Sequence, residues 1–343
     1  MNTSKLFEQL IEREHLSDSQ MQQVVKSCMS GELTDVQIAT FLALMRMKGE
    51  TVDELTTAAK IMQQLAHTID LGDDLVDIVG TGGDGKNTFN VSTVSSFVAA
   101  AAGLRVAKHG NRSVSSSSGS ADLLFHAGFE LNLSDTAINH CMKQCNIAFL
   151  FAPHFHQSMQ HARKARQQLG IRTLFNLLGP LINPASVRKQ VVGVFASHWL
   201  EPVANVLANL GSEHALVVNS HDGLDEISIA AKTDVLEYQH GQFKRWTIDP
   251  HEFGLAHPNL DAIIVETPAQ SLALAESVFS GLAGPARDIV ILNTAAALYC
   301  ADKCTTYANA IEKAAKAIDS GLAGLRFCQL RDLTQAYKEA HNE

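Results

Sequence analysis

The sequence predicts an α/β fold in two unequal parts, a small helical domain and a large α/β domain with a largely parallel central sheet. Three observations lead there. The chain has 343 residues, beyond the size at which a single core usually stops growing. Residues 1–72 carry helix signals only. From residue 73 onward, compact β-branched runs alternate with alanine-rich segments of helical period, the pattern of a parallel sheet with crossover helices.

Within residues 1–72, Ser17-x-x-Gln20, Thr34-x-x-Gln37 and Thr51-x-x-Glu54 are capping boxes, each followed by apolar residues at helical spacing. Short helices in such close succession imply a bundle. In the large domain, residues 73–343, the runs LVDIV, LRVAKHG, ALVVNS and DIVILN read as strands. Residues 157–183 interrupt the alternation with a basic helix and the sequence LFNLLGPLINP, and this stretch is expected to join the helical domain.

Composition narrows the class. Charged residues make up 18% and apolar ones 46%, as in an ordinary globular protein. The net charge of −9 argues against broad nucleic-acid or anionic-membrane binding, so an anionic ligand must be met by local positive groups. The start, MNTSKLFEQLIEREHL, lacks an apolar signal core, and the stretch FVAAAAG is too short to span a bilayer. A cytoplasmic location is expected. Six cysteines, Cys28, Cys141, Cys145, Cys300, Cys304 and Cys328, then read as reduced thiols. Two pairs have C-x3-C spacing, which on a helix puts both sulfurs on one face. Structural zinc favours C-x2-C pairs with further ligands, so packed core thiols are the better reading.

The stretch DIVGTGGDGKNTFNVST, residues 77–93, resembles two phosphate loops and satisfies neither. Gly80 to Lys86 has P-loop spacing, but Asn87 stands where that loop needs a hydroxyl for magnesium. The dinucleotide fingerprint wants an acidic residue about twenty residues on, and the strand end there offers Lys108 and His109 instead. The loop follows a strand, at the edge where open α/β sheets bind ligands. Its glycines suit a flat cradle of backbone N–H groups for an anion, with Ser92 and Thr93 topping the next helix, or else an ordinary glycine turn, since such matches are common by chance.

Three further stretches carry chemistry. KHGNRSVSSSSGSAD, residues 108–122, has the composition of a flexible linker, yet it sets Lys108 and Arg112 among hydroxyls after a strand, as a polyphosphate site would. Both readings stay open on these residues. In HDGLDEISIA, the adjacent Asp225 and Glu226 repel one another and would share a hard cation such as magnesium, or else form a solvated loop edge. In APHFHQSMQHARKARQQLGIRT, Arg163, Lys164 and Arg166 make either a solvated basic face or, at one arginine, a fork for a carboxylate. His154 and His156 have H-x-H spacing, but no third ligand at metal spacing lies nearby in sequence, so a metal pair is the weaker reading.

Together the loops GTGGD, NVST, KHGNRSVSSSSGSAD, FAP-x-x-H, LGIRTLFNLLGPLINP, DGLDEIS and GPARDIVILN resemble, in order and spacing, the anthranilate phosphoribosyltransferase family, over nearly the whole chain to about residue 325. The resemblance implies a nucleoside-phosphorylase-like architecture, a homodimer, and transfer of the phosphoribosyl group of phosphoribosyl pyrophosphate to anthranilate with Mg2+, in tryptophan biosynthesis. It implies that Gly80, Gly82, Gly83, Asp84, Thr88, Asn90, Ser92, Thr93, Lys108 and Ser120 bind phosphoribosyl pyrophosphate. Gly80, His109, Asn111, His156, Arg166, Gly179 and Pro180 match the anthranilate side, and Ser92, Asp225 and Glu226 match the metal ligands. No residue is marked as a general base. Gln157 and Leu124-Phe125 depart from the family pattern outside these positions. A pyrimidine nucleoside phosphorylase would share the architecture but use free phosphate; the Asp225-Glu226 pair and KHGNR favour the pyrophosphate-using branch. A non-catalytic nucleic-acid-binding relative would want a basic groove, against the net charge of −9.

Overall fold

The computed structural model describes residues 2–112 and 118–340. Four helices open the chain: α1 (Thr3–Ile11), α2 (Asp18–Ser30), α3 (Asp35–Lys48) and α4 (Val52–Leu65). All three capping boxes form, each cap oxygen accepting from the backbone three residues on while Gln20, Gln37 or Glu54 reaches back to the cap N–H. Helix α1 starts without a box, on an Asn2 side chain that accepts from the Lys5 N–H. Glu54 does more than cap. It also accepts from the Leu16 N–H at 2.8 Å and from Lys48 Nζ at 2.7 Å, so one buried carboxylate pins the α1–α2 and α3–α4 junctions together.

The sheet begins with β1 (Leu75–Gly80), α5 (Val91–Ala101), β2 (Arg105–Gly110), α6 (Ser120–His126), α7 (Asp135–Cys145) and β3 (Ile147–Phe151). The chain then runs through α8 (Ala152–Phe155), α9 (Gln160–Leu169) and α10 (Leu174–Leu178) before β4 (Lys189–Gly193), α11 (Leu200–Asn209) and β5 (His214–Ser220). A hairpin, β6 (Thr233–Gln239) and β7 (Gln242–Ile248), precedes α12 (Pro268–Phe279), α13 (Pro285–Cys300), α14 (Tyr307–Asp319) and α15 (Leu322–Ala340). The strand order is β3-β2-β1-β4-β5-β6-β7. Five neighbouring strands, β3 to β5, are parallel and the hairpin adds an antiparallel edge. After winding outward to β3 the chain returns to the other side of β1. The switch point, where such sheets open a crevice, therefore lies between β1 and β4.

Two cores flank the sheet. One packs Leu216 and Val218 of β5 with α5, α13 and α14. The other gathers α1 to α4 with Ala162 and Ala165 of α9, Leu174 of α10, Val203 and Leu207 of α11, and Val217 of β5. Alternate residues of β5 thus serve opposite cores.

Two expectations are corrected. DIVILN is not a strand: it lies inside α13, whose residues from Ile289 to Leu298 are buried throughout. A helix buried on every side has no polar stripe, so its β-branched run is indistinguishable by period from a core strand. Gly284-Pro285 is the helix-start signal that separates the two. The thiols divide as well. Cys28, Cys141, Cys145 and Cys300 are buried, but α13 ends at Cys300, leaving Cys304 half-buried beyond it and off any shared helix face, and Cys328 is exposed.

Candidate functional site

The candidate site is built on two missing side chains. Gly80 of β1 and Gly193 of β4 are register partners at the switch point. A Cβ on Gly193 would stand 1.5 Å from the Asp225 carbonyl oxygen, and one on Gly80 would stand 2.5 Å from Asp225 Oδ2. Their absence lets the segment after β5 lie directly over both strand ends. The glycine loop closes onto the same group, for the Gly82 N–H donates to Asp225 Oδ2 at 2.7 Å. Gly82, Gly83 and Gly85 all have positive φ, and Asn87 joins them at 53°. The loop is then fastened back, its Asn87 carbonyl accepting from the Val265 N–H and its Phe89 N–H donating to the Ile263 carbonyl, with Thr88 in a bridge to Ile264.

Negative charge accumulates here. Asp225 is only 8% exposed. Burial and the neighbouring Asp84 charge push its carboxyl up to about 7. Glu226, accepting from the Ser92 N–H at 3.0 Å, is raised well above its usual range by burial and by Asp225. Among the described residues, the buried cation packed among them is Lys108, 2% exposed, whose ammonium donates to the Ile78 carbonyl at 2.6 Å and lies 3.4 Å from Ser92 Oγ. Burial pulls its affinity for a proton down, against the opposing pull of Asp77, Glu226 and Asp225. Three carboxylates and one ammonium leave the crevice short of positive charge. The oxygen-only donor set of Asp84, Asp225, Glu226 and Ser92 fits a hard divalent cation, and magnesium suits it better than a softer metal.

Beneath this cluster lies a carboxylate that sequence reasoning missed. Asp77 is fully buried in β1, where burial raises it to about 6; it accepts from Asn183 Nδ2 at 2.8 Å and, more loosely, from the His109 N–H at 3.4 Å. Its signal was available: an aspartate inside the apolar run LVDIV cannot stay there without partners.

On the other side of β2 the rings of His109 and His156 lie 5.2 Å apart. Burial lowers His109 to about 3 and His156 to about 4, so both are neutral at physiological pH. Among the described residues, His109 Nε2 and both nitrogens of His156 are buried without a well-formed hydrogen bond, although the His156 ring faces the Ile182 backbone. Orphaned polar atoms of this kind ask for a ligand or water. Gly179 and Pro180 follow α10, and the His109 ring meets the Gly179 backbone. Arg166 lays its guanidinium 5.5 Å from the centre of the Phe175 ring on α10 and makes no ion pair among the described residues. The rest of the basic stretch is occupied differently. Lys164 pairs with Asp35 at 3.0 Å, and Arg163 is exposed. Arg172, also unanticipated, has its Nε 3.2 Å from where a Cβ on Gly83 would be, which sets a cation beside the glycine loop.

The structure brings Gly80, Gly82, Asp84, Ser92, Lys108, Asp225 and Glu226 into one cluster. Asn90 has its side chain engaged by Ser118 and Ser271, so it anchors the loop. Thr93 Oγ1 is buried without a partner. Ser120 opens α6 beside Gly110, and Asn111 at the exposed end of β2 accepts from the Ala121 N–H through its carbonyl. Ser113 to Ser117 of the serine loop lie outside the described residues. His154 and His156 do not act as a pair: His156 turns in to His109, and His154 turns out toward His67.

A glycine cradle and a cluster of oxygen donors at the switch point make a site for a metal-bound anion, and the class of protein this site serves is a glycosyl transferase, by its family. Residues 72–324 match the glycosyl transferase family a/b domain, and residues 4–66 match the helical bundle domain of the same family. An anthranilate phosphoribosyltransferase of Legionella pneumophila is 67% identical over all of both chains. The crystal structure of the Thermus thermophilus enzyme of that name superposes with a TM-score of 0.90 at 36% identity, covering 98% of this chain and 100% of the other. The Saccharomyces cerevisiae enzyme, solved in complex with phosphoribosyl pyrophosphate and magnesium, gives 0.89 at 29% identity over 97% and 98%. The chain belongs to the anthranilate phosphoribosyltransferase family.

Proposed function

We propose that the protein transfers the phosphoribosyl group of phosphoribosyl pyrophosphate to the amine of anthranilate, giving N-(5-phosphoribosyl)anthranilate and pyrophosphate, in tryptophan biosynthesis. The observation that carries this reading is the crowding of Asp84 against Asp225 and Glu226, with the buried Lys108 beside that pair, beneath the glycine loop. A bound cation would offset the surplus charge of such a cluster and offer a polyphosphate a metal to bind.

In this reading Gly80, Gly82, Gly83, Asp84, Thr88, Asn90, Ser92, Thr93, Lys108 and Ser120 hold the sugar phosphate. Asp225, Glu226 and Ser92 hold Mg2+, which when bound neutralises charge on the departing pyrophosphate. Lys108 sets its amine at the carboxyl edge of β2, beside Ser92, and the Asp77–Asn183 pair holds that strand end in place. The residues act by positioning and electrostatics, since pyrophosphate is already a good leaving group and the ribosyl centre passes through an oxocarbenium-like state. His109 and His156 present neutral rings to the aromatic amine, beside Asn111, Gly179 and Pro180. Arg166 offers its planar fork to the carboxylate.

The same reading divides the chain into a helical domain of residues 1–72, joined by 157–183, and a phosphoribosyl-pyrophosphate-binding domain of residues 73–343. It makes the protein a cytoplasmic homodimer. No helix among the described residues is long and apolar enough to cross a membrane, and Ile11, Val36 and Met47 leave apolar surface on α1 and α3 for a second copy. The test is anthranilate fluorescence. It should fall when phosphoribosyl pyrophosphate and Mg2+ are added together and hold steady with either alone. Phosphorolysis of a pyrimidine nucleoside without any fluorescence change would overturn the reading in favour of a nucleoside phosphorylase.

A further inference from the structure

A second ligand set lies outside this crevice, where the chain passes between the two cores. His67 stands in the linker from α4 to β1, Asp135 is the first residue of α7, and His154 is in α8, just before the chain re-enters the helical core through α9. One ligand atom from each of the three lies within 4.8 Å of the others. His67 Nε2 is 3.0 and 2.9 Å from the two carboxylate oxygens of Asp135.

The arrangement has more built into it than a surface ion pair. The buried Phe155 ring stacks on His67 at 5.7 Å and meets His154 edge-on at 5.0 Å, so one side chain braces both imidazoles. The backbone is fixed as well, for the His67 N–H donates to the Phe155 carbonyl at 2.8 Å. Tetrahedral zinc with bonds of about 2.0 to 2.2 Å holds its ligand atoms roughly 3.3 to 3.5 Å apart. The His67–Asp135 separation is already shorter than that. The remaining gap is within reach of side-chain rotation, since His67 and Asp135 are each about half exposed.

We propose that His67, Asp135 and His154 bind a divalent transition ion of the zinc or cobalt type, through two imidazole nitrogens and one carboxylate oxygen, with water completing the shell. Two nitrogen ligands disfavour magnesium. The two metal sites of the molecule therefore select different ions, hard at Asp225 and Glu226 and borderline at His67 and His154. Occupied, the second site ties together the two segments through which the chain leaves and re-enters the helical core.

The test is titration of the full-length protein with Co2+ in excess Mg2+, read by visible d–d absorption, beside thermal unfolding with and without Zn2+. The parent should take up one equivalent of cobalt with a tetrahedral spectrum, and zinc should raise its unfolding midpoint. His67→Ala and His154→Ala should each weaken binding at least about tenfold and lose the zinc-induced rise, with transferase activity in Mg2+ alone unchanged. If the parent takes up no cobalt in excess Mg2+, or binds it equally well after either histidine is removed, the assignment is overturned.

Discussion

The two ends of one sheet bury polar groups in opposite ways. At the amino end of β5, His214 lies 3.1 Å from Asp302 on one side and 3.1 Å from Glu237 on the other. Tyr299 and Trp246 donate to Glu237, and Lys189 meets Asp302 at 2.9 Å. Each member has its partner, and the same interactions hold Glu237 and Asp302 below the usual carboxylate range despite burial. At the carboxyl end, burial and neighbouring carboxylates, Asp84 beside Asp225 and both beside Glu226, push the pair the other way, with Lys108 as the buried cation among the described residues. A cluster that closes on itself is a structural device; one left with surplus charge is a socket.

The largest way to break this contrast is Asp225→Asn combined with Glu226→Gln. If the carboxyl end is a socket, the transfer rate should fall by about 1000-fold or more, the several kcal/mol a metal contributes. The unfolding midpoint without magnesium should not fall, because a buried repulsion has been removed. Steady-state kinetics and thermal unfolding of one preparation check both halves.

His214→Ala tests the other end. Removing one buried hydrogen-bond partner of Glu237, which keeps Tyr299 and Trp246, should cost about 1 to 3 kcal/mol of stability, while KM for both substrates stays put. Denaturant unfolding at neutral pH measures the first, and a shifted KM would show that the two ends are coupled.

Arg166→Ala comes next. Removing one partner of a desolvated pair costs about 2 to 5 kcal/mol, and a guanidinium still partly exposed belongs at the lower end. Efficiency with anthranilate should drop roughly thirtyfold, with affinity for phosphoribosyl pyrophosphate and Mg2+ preserved. Lys164→Ala, which loses only an exposed pair with Asp35, should do far less. Kinetics with anthranilate varied, beside calorimetric titration of the sugar phosphate, separate these outcomes.

The smallest effect is on pH dependence. The folded-state value of Asp225, about 7, is above its unfolded value near 3.8, so its contribution is fully present below about pH 4 and is lost as pH rises through 7. Magnesium-free protein should therefore lose stability from this group between pH 4 and 7, and saturating Mg2+ or Asp225→Asn should remove that slope. Thermal midpoints across the window decide it.

Sequence legibility followed the range of the interactions. The capping boxes at Ser17, Thr34 and Thr51 could be read because donor and acceptor sit three residues apart. The strands at LVDIV, LRVAKHG and ALVVNS could be read because short apolar runs between turn signals leave few alternatives, and the glycine loop and Asp225-Glu226 drew notice by following strands. What escaped was set at long range. Asn183 matters through Asp77, 106 positions away. Gly193 looks like any glycine until the Asp225 carbonyl is found where its Cβ would be. His154 gains its companions only when β1 and β3 enter one sheet, which brings the linker and α7 beside it. The hairpin strand QFKRWTI stayed hidden because five of its seven side chains face solvent.

The shared core of α1–α4 with α9–α11 has a consequence in time. Helices α1 to α4 are complete at Leu65, but the partners that cover them, Ala162, Leu174 and Leu207 among others, come 97 or more positions later. At about 5 to 20 residues per second, the nascent bundle waits on the order of ten seconds on the ribosome with its apolar face uncovered. During that interval the apolar face that α9–α11 later cover stays open to solvent, and a pause in translation before α11 would lengthen its exposure without changing a single residue.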